Sequence, residues 1–378
     1  MSQSADAGVT DGAARELLCD LVEIQSPSGD ERECAERLAA FFAERGREVW
    51  LDEVGNVRAP ADDSVLLTSH IDTVPGDISV EVTDGELWGR GSVDAKGPLA
   101  AMAAAAVETG VSFVGVVGEE TDSRGARHLV EDREQPDAVV NGEPSGWDGV
   151  TLGYRGLLAG EYAVETDSAH TSRPDPNAIQ DAMAWWQSVE TAFSSSADDE
   201  NAETAEKDGN TENAEKNGTA EKDDSDEPAV FEQVTAKPVE FSGGVAADGL
   251  SVEATVEAQF RIPQGETAAG IRETVERELD GGKIDWRKPI PPVMETPRSE
   301  VARAFRTAIR RVGGDPRLLR KTGTSDMNLY AGAWDCPMAT YGPGDSELDH
   351  VPNERLDLGE FDRAVAVLER VSEHLADQ

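Results

Sequence analysis

The chain has 378 residues, 76 acidic and 34 basic, for a formal net charge of −42. A surface of that sign excludes nucleic acid and anionic lipid as general partners, and no apolar run reaches the ~18 residues that a membrane span needs. Cys19, Cys34 and Cys336 are odd in number and far apart, which excludes a disulfide framework or a Cys-rich metal site.

The opening MSQSADAGVTDG lacks the basic and apolar parts of a secretory signal, so the expected compartment is the cytoplasm. The acid surplus reads as a solvation adaptation to salt-rich, halophilic surroundings, where ions screen self-repulsion. The competing reading is an acidic patch that recruits a basic partner.

Two amphipathic helices are predicted near Ala13–Ile24 and Glu31–Arg45, separated by the turn residues Ser26–Gly29. Short apolar strands at Val65–Thr68, Val111–Val117 and Asp137–Asn141 alternate with a small-residue helix, Pro98–Thr109. That alternation predicts an α/β layer with a mixed or parallel sheet. After Gly153 the order becomes strand Leu157–Glu165, helix Asn177–Phe193, strands Val234–Phe241 and Leu250–Ile262, helix Thr267–Leu279 and strand Lys283–Trp286. A β-α-β-β-α-β order is that of a ferredoxin-like α+β unit. Helix Ser299–Val312, strands Arg317–Lys321 and Pro337–Tyr341, and helix Phe361–Ala376 then resume the first layer. The expectation is a discontinuous domain, 1–154 and 293–378, interrupted by an inserted domain, 155–292. Within the insertion, 196–228 holds 13 acids, three lysines and no aromatic residue. It has too little apolar surface to offset ordering entropy and is expected to be a disordered acidic loop.

Several apolar strands end in polar residues. LLTSHIDTVPG carries His70 and Asp72, two apart and so on one face of an extended chain. WGRGSVDAKG places Asp94 in a glycine-flanked turn, GEE holds Glu119 and Glu120, NGEPSG holds Glu143, and GPGDSELDHVPNE supplies His350. Strand ends of an α/β sheet share one edge, where sites form. His70, Asp94, Glu120, Glu143 and His350 together offer two imidazoles and three carboxylates, a donor set that zinc accepts. Five donors exceed one tetrahedral ion and suit two ions sharing a bridging carboxylate, here Asp94. Glu119 is then free to take a proton from the attacking water. Spacing alone leaves the alternatives open: adjacent glutamates also form solvated loops, and a strand-end histidine is often structural.

SHIDTVPG, GRGSVDAKGPLAAM, GEE, GEPSG and GPGDSELDH, in that order, resemble the co-catalytic dinuclear metallopeptidases, the family of acetylornithine deacetylase, succinyl-diaminopimelate desuccinylase and bacterial glutamate carboxypeptidases. The resemblance implies a zinc-peptidase-like catalytic domain, with a mixed sheet flanked by helices, and an inserted ferredoxin-like lid that also forms a homodimer. It implies two divalent ions, Zn2+ or Co2+. His70, Asp94 and Glu143 would hold one, and Asp94, Glu120 and His350 the other. Asp72 would orient His70, Glu119 would be the general base, and a cis peptide would follow Asp94. DSAHTSRPDPNAI resembles the lid loop whose histidine, here His170, steadies the oxyanion. QFRIP resembles the segment whose arginine, here Arg261, grips a substrate carboxylate. Many members have an acid where this chain has Gln259.

GEPSGWDGVTLGYRG and KTGTSDMNLYA resemble the LysK type, which releases lysine or ornithine from the terminal glutamate side chain of a small acidic amino-group carrier protein. Thr324 would then meet the scissile region and Asp326 the ammonium of the product, although GTSDMN also suits a helix N-cap. Arg155, with Arg124, Arg127, Arg173 and Arg261, could form a basic patch for the carrier. The alternative functions are a deacetylase, desuccinylase or dipeptidase, or a non-catalytic binding protein on the same fold.

Overall fold

A computed structural model describes residues 11–170, 172–205 and 230–377. They fall into two compact units, Met1–Gly153 with Val293–Arg320 and Ser325–Gln378, and Tyr154–Pro292 with Lys321–Thr324. No described helix is long and apolar enough to cross a membrane. The three cysteines are free thiols.

The first unit is built on a mixed sheet. In spatial order its strands are Trp50–Leu51, Val57–Ala59, Val111–Val116, Asp62–His70, Val139–Gly142, Met338–Thr340, Gly149–Tyr154 and Val293–Met294, and Arg317–Lys321 pairs with Gly149–Tyr154. The central strands are parallel, and Val111–Val116 and Val139–Gly142 are buried at every position. Strands covered on both faces need continuous apolar runs, which is how these segments read in the sequence. Their register levels the C-terminal ends, with His70 beside Val116, Ser69 beside Gly142 and Thr340 beside Asn141.

Helix Lys96–Thr109 is buried from Lys96 to Ala106 and packs against the sheet and against helices Asp11–Glu23 and Leu358–Ala376. The small side chains of Ala100, Ala101, Ala103, Ala104, Ala105 and Ala106 allow close contact on so many sides. The buried Lys96 donates its ammonium to the carbonyl of Ile24, 2.5 Å away, just past the C-terminus of helix Asp11–Glu23, where a cation is favoured.

The second unit forms an antiparallel sheet in the order Thr235–Val245, Ser251–Ile262, Gly156–Asp167, Lys283–Trp286, with helices Ala178–Ala205 and Ala268–Arg277. Its core includes Leu158, Phe260 and Tyr162, the last stacked on Trp185 at 4.1 Å between ring centroids. Helix Ala178–Ala205 runs ten residues into the stretch expected to be loop, because alanine and glutamate favour helix whenever a preceding turn is already formed. The rest of that stretch, 206–228, lies outside the described residues.

The sequence prediction lacked strands Trp50–Leu51, Val57–Ala59, Gly149–Tyr154 and Val293–Met294, the small sheet of Glu81–Thr83, Glu86–Trp88 and Arg355–Asp357, and helix Arg124–Asp132, and of helix Asp326–Ala333 it offered only the N-cap. All are short, and short elements carry little periodicity. Enlarging the tightly packed helix should be costly: Ala103→Leu is expected to lower the unfolding free energy by about 1–3 kcal/mol in urea denaturation.

Candidate metal centre

Because the parallel strands end level, the residues that follow them emerge together. His70 closes one strand, Glu119 and Glu120 follow the next, and Glu143 follows the third. Gly118 turns the chain out of the sheet at φ 76°, a conformation open to glycine, and a Cβ there would strike the Arg124 guanidinium at 2.3 Å. Asp94 lies in the turn that opens helix Lys96–Thr109, and the Asp94–Ala95 peptide is cis.

Ligand atoms of His70, Asp94 and Glu120 all lie within 4.8 Å of one another. His70 Nε2 stands 3.2 Å from Asp94 Oδ1 and 4.0 Å from Glu143 Oε2. On the other side, His350 Nε2 is 3.0 Å from Asp94 Oδ2 and 3.1 Å from Glu120 Oε2. Asp94 therefore presents one oxygen to each imidazole. All five expected donors are brought together, and two imidazoles, once deprotonated, among carboxylates form a set that suits borderline divalent ions.

The electrostatics show a site short of positive charge. Burial alone would lower the pKa of His70, but its hydrogen bonds to Asp72 and Asp94 override that and raise it well above the ordinary value. Hydrogen bonds to Asp94 and then Glu120 push His350 up to about 10. Asp94 is lowered, because the two imidazoles outweigh the opposing effect of burial. Burial first, and then the charge of Glu143, raises Glu119 well above the usual carboxylate range.

Asp72 is fully buried and does more than face His70. His70 Nδ1 is 2.9 Å from the Asp72 carbonyl oxygen and 3.6 Å from its carboxylate Oδ1. That carboxylate accepts the backbone N–H of Glu119 at 3.1 Å and of Glu120 at 3.2 Å, and the Ser28 hydroxyl at 2.6 Å. One side chain thus orients an imidazole and pins the GEE turn.

The remaining expected residues are placed differently. Asp326 is 2% exposed in the first unit, and burial pushes its pKa up to about 7. In the second unit, His170 is exposed, and its Nδ1 accepts the Ser172 N–H at 3.2 Å. Arg261 Nη1 donates to Thr324 Oγ1 at 3.3 Å. Arg155 is buried, and it donates to the carbonyls of Thr322, Val230 and Gln233 and to Thr235 Oγ1. Asn328 Oδ1 accepts the Ser325 N–H at 3.0 Å at the start of helix Asp326–Ala333, so the GTSDMN stretch is also a helix start.

Sequence reasoning missed Glu354. It is 0% exposed, and its Oε1 accepts the N–H groups of Val93 at 2.9 Å and Asp94 at 3.1 Å. Its Oε2 takes a 2.7 Å ion pair from Arg90. Only four residues past His350, it fastens the His350 segment to the Asp94 turn. The only signal in the sequence was a glutamate four residues after a histidine, which spacing could not distinguish from a surface acid. Glu354→Ala leaves buried N–H groups and a guanidinium unpaired, and is expected to cost about 3–5 kcal/mol in denaturant titration.

The description of Peptidase family M20/M25/M40 matches residues 66–374. The LysW-lysine hydrolase of Deinococcus radiodurans is 39% identical over 373 residues, spanning 94% of this chain and 95% of that protein. A putative LysW-lysine/LysW-ornithine hydrolase of Thermococcus kodakarensis is 35% identical, spanning 95% of this chain and 91% of its own. Among solved structures, the M20 family metallo-carboxypeptidase Sso-CP2 of Sulfolobus solfataricus superposes with a TM-score of 0.76 at 18% identity, covering 97% of this chain and 99% of that one. The Bacillus subtilis YXEP protein, described as a dinuclear metal binding peptidase from the M20 family, gives a TM-score of 0.68 at 14% identity over 97% of this chain and 98% of its own. With the family description matching 66–374 and relatives aligned over nearly their whole length, this chain belongs to peptidase family M20/M25/M40.

Proposed function

We propose that this chain is a metal-dependent amidohydrolase that releases lysine, ornithine or both from the terminal glutamate side chain of an amino-group carrier protein, as a step of lysine and arginine biosynthesis in the cytoplasm. The observation that carries the reading is the convergence of His70, Asp94, Glu120 and His350, in a chain whose relatives of matching length are named for hydrolysis of LysW conjugates.

In this reading His70, Asp94 and Glu143 hold one divalent ion and Asp94, Glu120 and His350 the other, with zinc or cobalt as the metal. When bound, such ions polarise the amide carbonyl and acidify water. Glu119 takes a proton from the attacking water and delivers it to the leaving α-amine. Its carboxyl can do both because Asp72 fixes the turn that carries it. Arg261 and Thr324 supply a guanidinium and a hydroxyl for the substrate carboxylate and scissile region. His170 is the donor for the developing oxyanion, and Arg155 stiffens the strand that leads into this unit. Asp326 is assigned to the product ammonium. The exposed Val239, Phe241 and Val245 on the edge strand Thr235–Val245 support pairing of two copies through the inserted unit.

Incubating metal-loaded protein with carrier–lysine, carrier–ornithine and acetylornithine, and identifying the free product, tests the reaction. Release from acetylornithine alone would replace this reading with the deacetylase. Glu119→Gln is expected to lower kcat by about 10²–10⁴ with metal content unchanged by elemental analysis. Before ions enter, His350, with its pKa pushed up to about 10, carries a proton at neutral pH, and hydrogen bonds to Asp72 and Asp94 raise the pKa of His70 in the same direction. A ligating nitrogen must lose its proton, so metal affinity should fall as pH drops and rise toward about 10. Calorimetric loading near neutrality should release protons, read from its dependence on buffer ionisation enthalpy.

A further inference from the structure

In a chain with 76 acids and 34 basic residues, a long arginine-rich surface needs a reason. Between Arg298 and Arg320 there are seven arginines and only two carboxylates, Glu300 and Asp315. The segment forms helix Glu300–Val312 and residues Arg317 to Arg320 of the strand that follows it, and it lies in the first unit. Val301, Ala302, Ala304, Phe305, Ala308 and Ile309 fill the buried side of the helix. Arg303, Arg306, Arg310 and Arg311 share the opposite arc of about 140° at 3.6 residues per turn. Arg298, Arg303, Arg310 and Arg311 are exposed, as are Arg317 and Arg320 beyond them.

Among the described residues, Arg298, Arg303, Arg306, Arg310 and Arg311 have no carboxylate within ion-pair distance. Where these side chains have partners, the partners are backbone carbonyls: Arg303 donates to Arg298, and Arg306 to Ala302 and Pro297. The helix macrodipole accounts for cations in the last turn, Arg310 and Arg311. It disfavours Arg298 and Arg303, which flank the N-terminus, and like charges three and four apart repel along the helix. Salt adaptation would have placed acids on this face. Local stability therefore explains only part of the pattern, and recognition of an anionic partner explains the whole of it.

The far end of the face lies against the turn that follows Glu143. Arg317 pairs with Asp148 at 2.7 Å, and Gly314 lies against the Trp147 ring. Both partners belong to the turn that follows Glu143, itself anchored where Gly146 N–H donates to the Gly344 carbonyl at 2.9 Å.

We infer that the arginine face of Arg298–Arg320 is the docking surface for a carboxylate-rich patch on the protein that carries the substrate, holding that protein beside the Glu143 edge. This rests on the proposed function only for the identity of the partner. Nucleic acid, the other polyanion, is disfavoured by the net charge of −42.

The test is calorimetric titration of the full chain with the cargo-free carrier protein at low and high salt. The variants are Arg303→Gln/Arg310→Gln/Arg311→Gln, Arg310→Gln alone should the triple change melt early, and the remote exposed control Arg370→Gln. The triple variant is expected to bind about tenfold more weakly than the wild type with a flattened salt dependence, while Arg370→Gln and the hydrolysis of a small amide substrate stay unchanged. An unchanged Kd in the variants, an equal loss in Arg370→Gln, no binding of carrier by the wild type, or tighter binding of duplex DNA would each overturn the assignment. Binding to the arginine face without hydrolysis of any carrier conjugate would instead sink the proposed reaction and leave the surface standing.

Discussion

The centre depends on concentrating carboxylates that would repel one another unless positive charge is brought to them. Asp94 sits between two imidazoles, with Glu119, Glu120 and Glu143 close by. Such a cluster cannot be held by attraction among its own members. The scaffold holds it through hydrogen bonds from backbone amides to two buried carboxylates, Asp72 on the GEE turn and Glu354 on the Asp94 turn. Backbone donors fix geometry without adding a mobile charge, which leaves the imidazoles and their protons, or divalent cations, to balance the acids.

Sheet register makes that concentration possible. Parallel strands buried on both faces have little freedom to slip, because a shift would misfit the close-packed side chains on each face. Aligned ends then deliver His70, Glu119, Glu120 and Glu143 to one edge without any of them being adjacent in the chain. The alanine-packed helix from Lys96 serves the same end by bringing the Asp94 turn close to the sheet.

Family membership and the centre together describe a hydrolase, and contacts outside the reacting atoms are where a preference among its substrates can be built. The arginine face bears on this problem. In a strongly acidic chain the solvent side of helix Glu300–Val312 is rich in arginine, and the segment that follows the helix pairs with the turn after Glu143. An enzyme acting on cargo tethered to another protein gains specificity from contacts remote from the scissile bond, and long-range charge is suited to steering such an encounter.

The sequence by itself determined the α/β plan of the first unit, the split β-α-β-β-α-β order of the second and the five polar side chains that the fold brings together. Each was written in a local pattern: apolar runs ending in polar residues, strand–helix alternation, and motifs in a recognisable order. It did not show where helix Ala178–Ala205 ends, because composition lowers the expectation of order without setting a boundary. Nor did it reveal Glu354, Ser28 or the second task of Asp72, since an acid that accepts buried backbone amides looks the same in sequence as one facing water. Tertiary structure alone decided that Asp94 offers one oxygen to each imidazole and that five arginines from Arg298 to Arg311 lack carboxylate partners among the described residues. Both are facts of distance between segments far apart in the chain, and local pattern carries no information about distance.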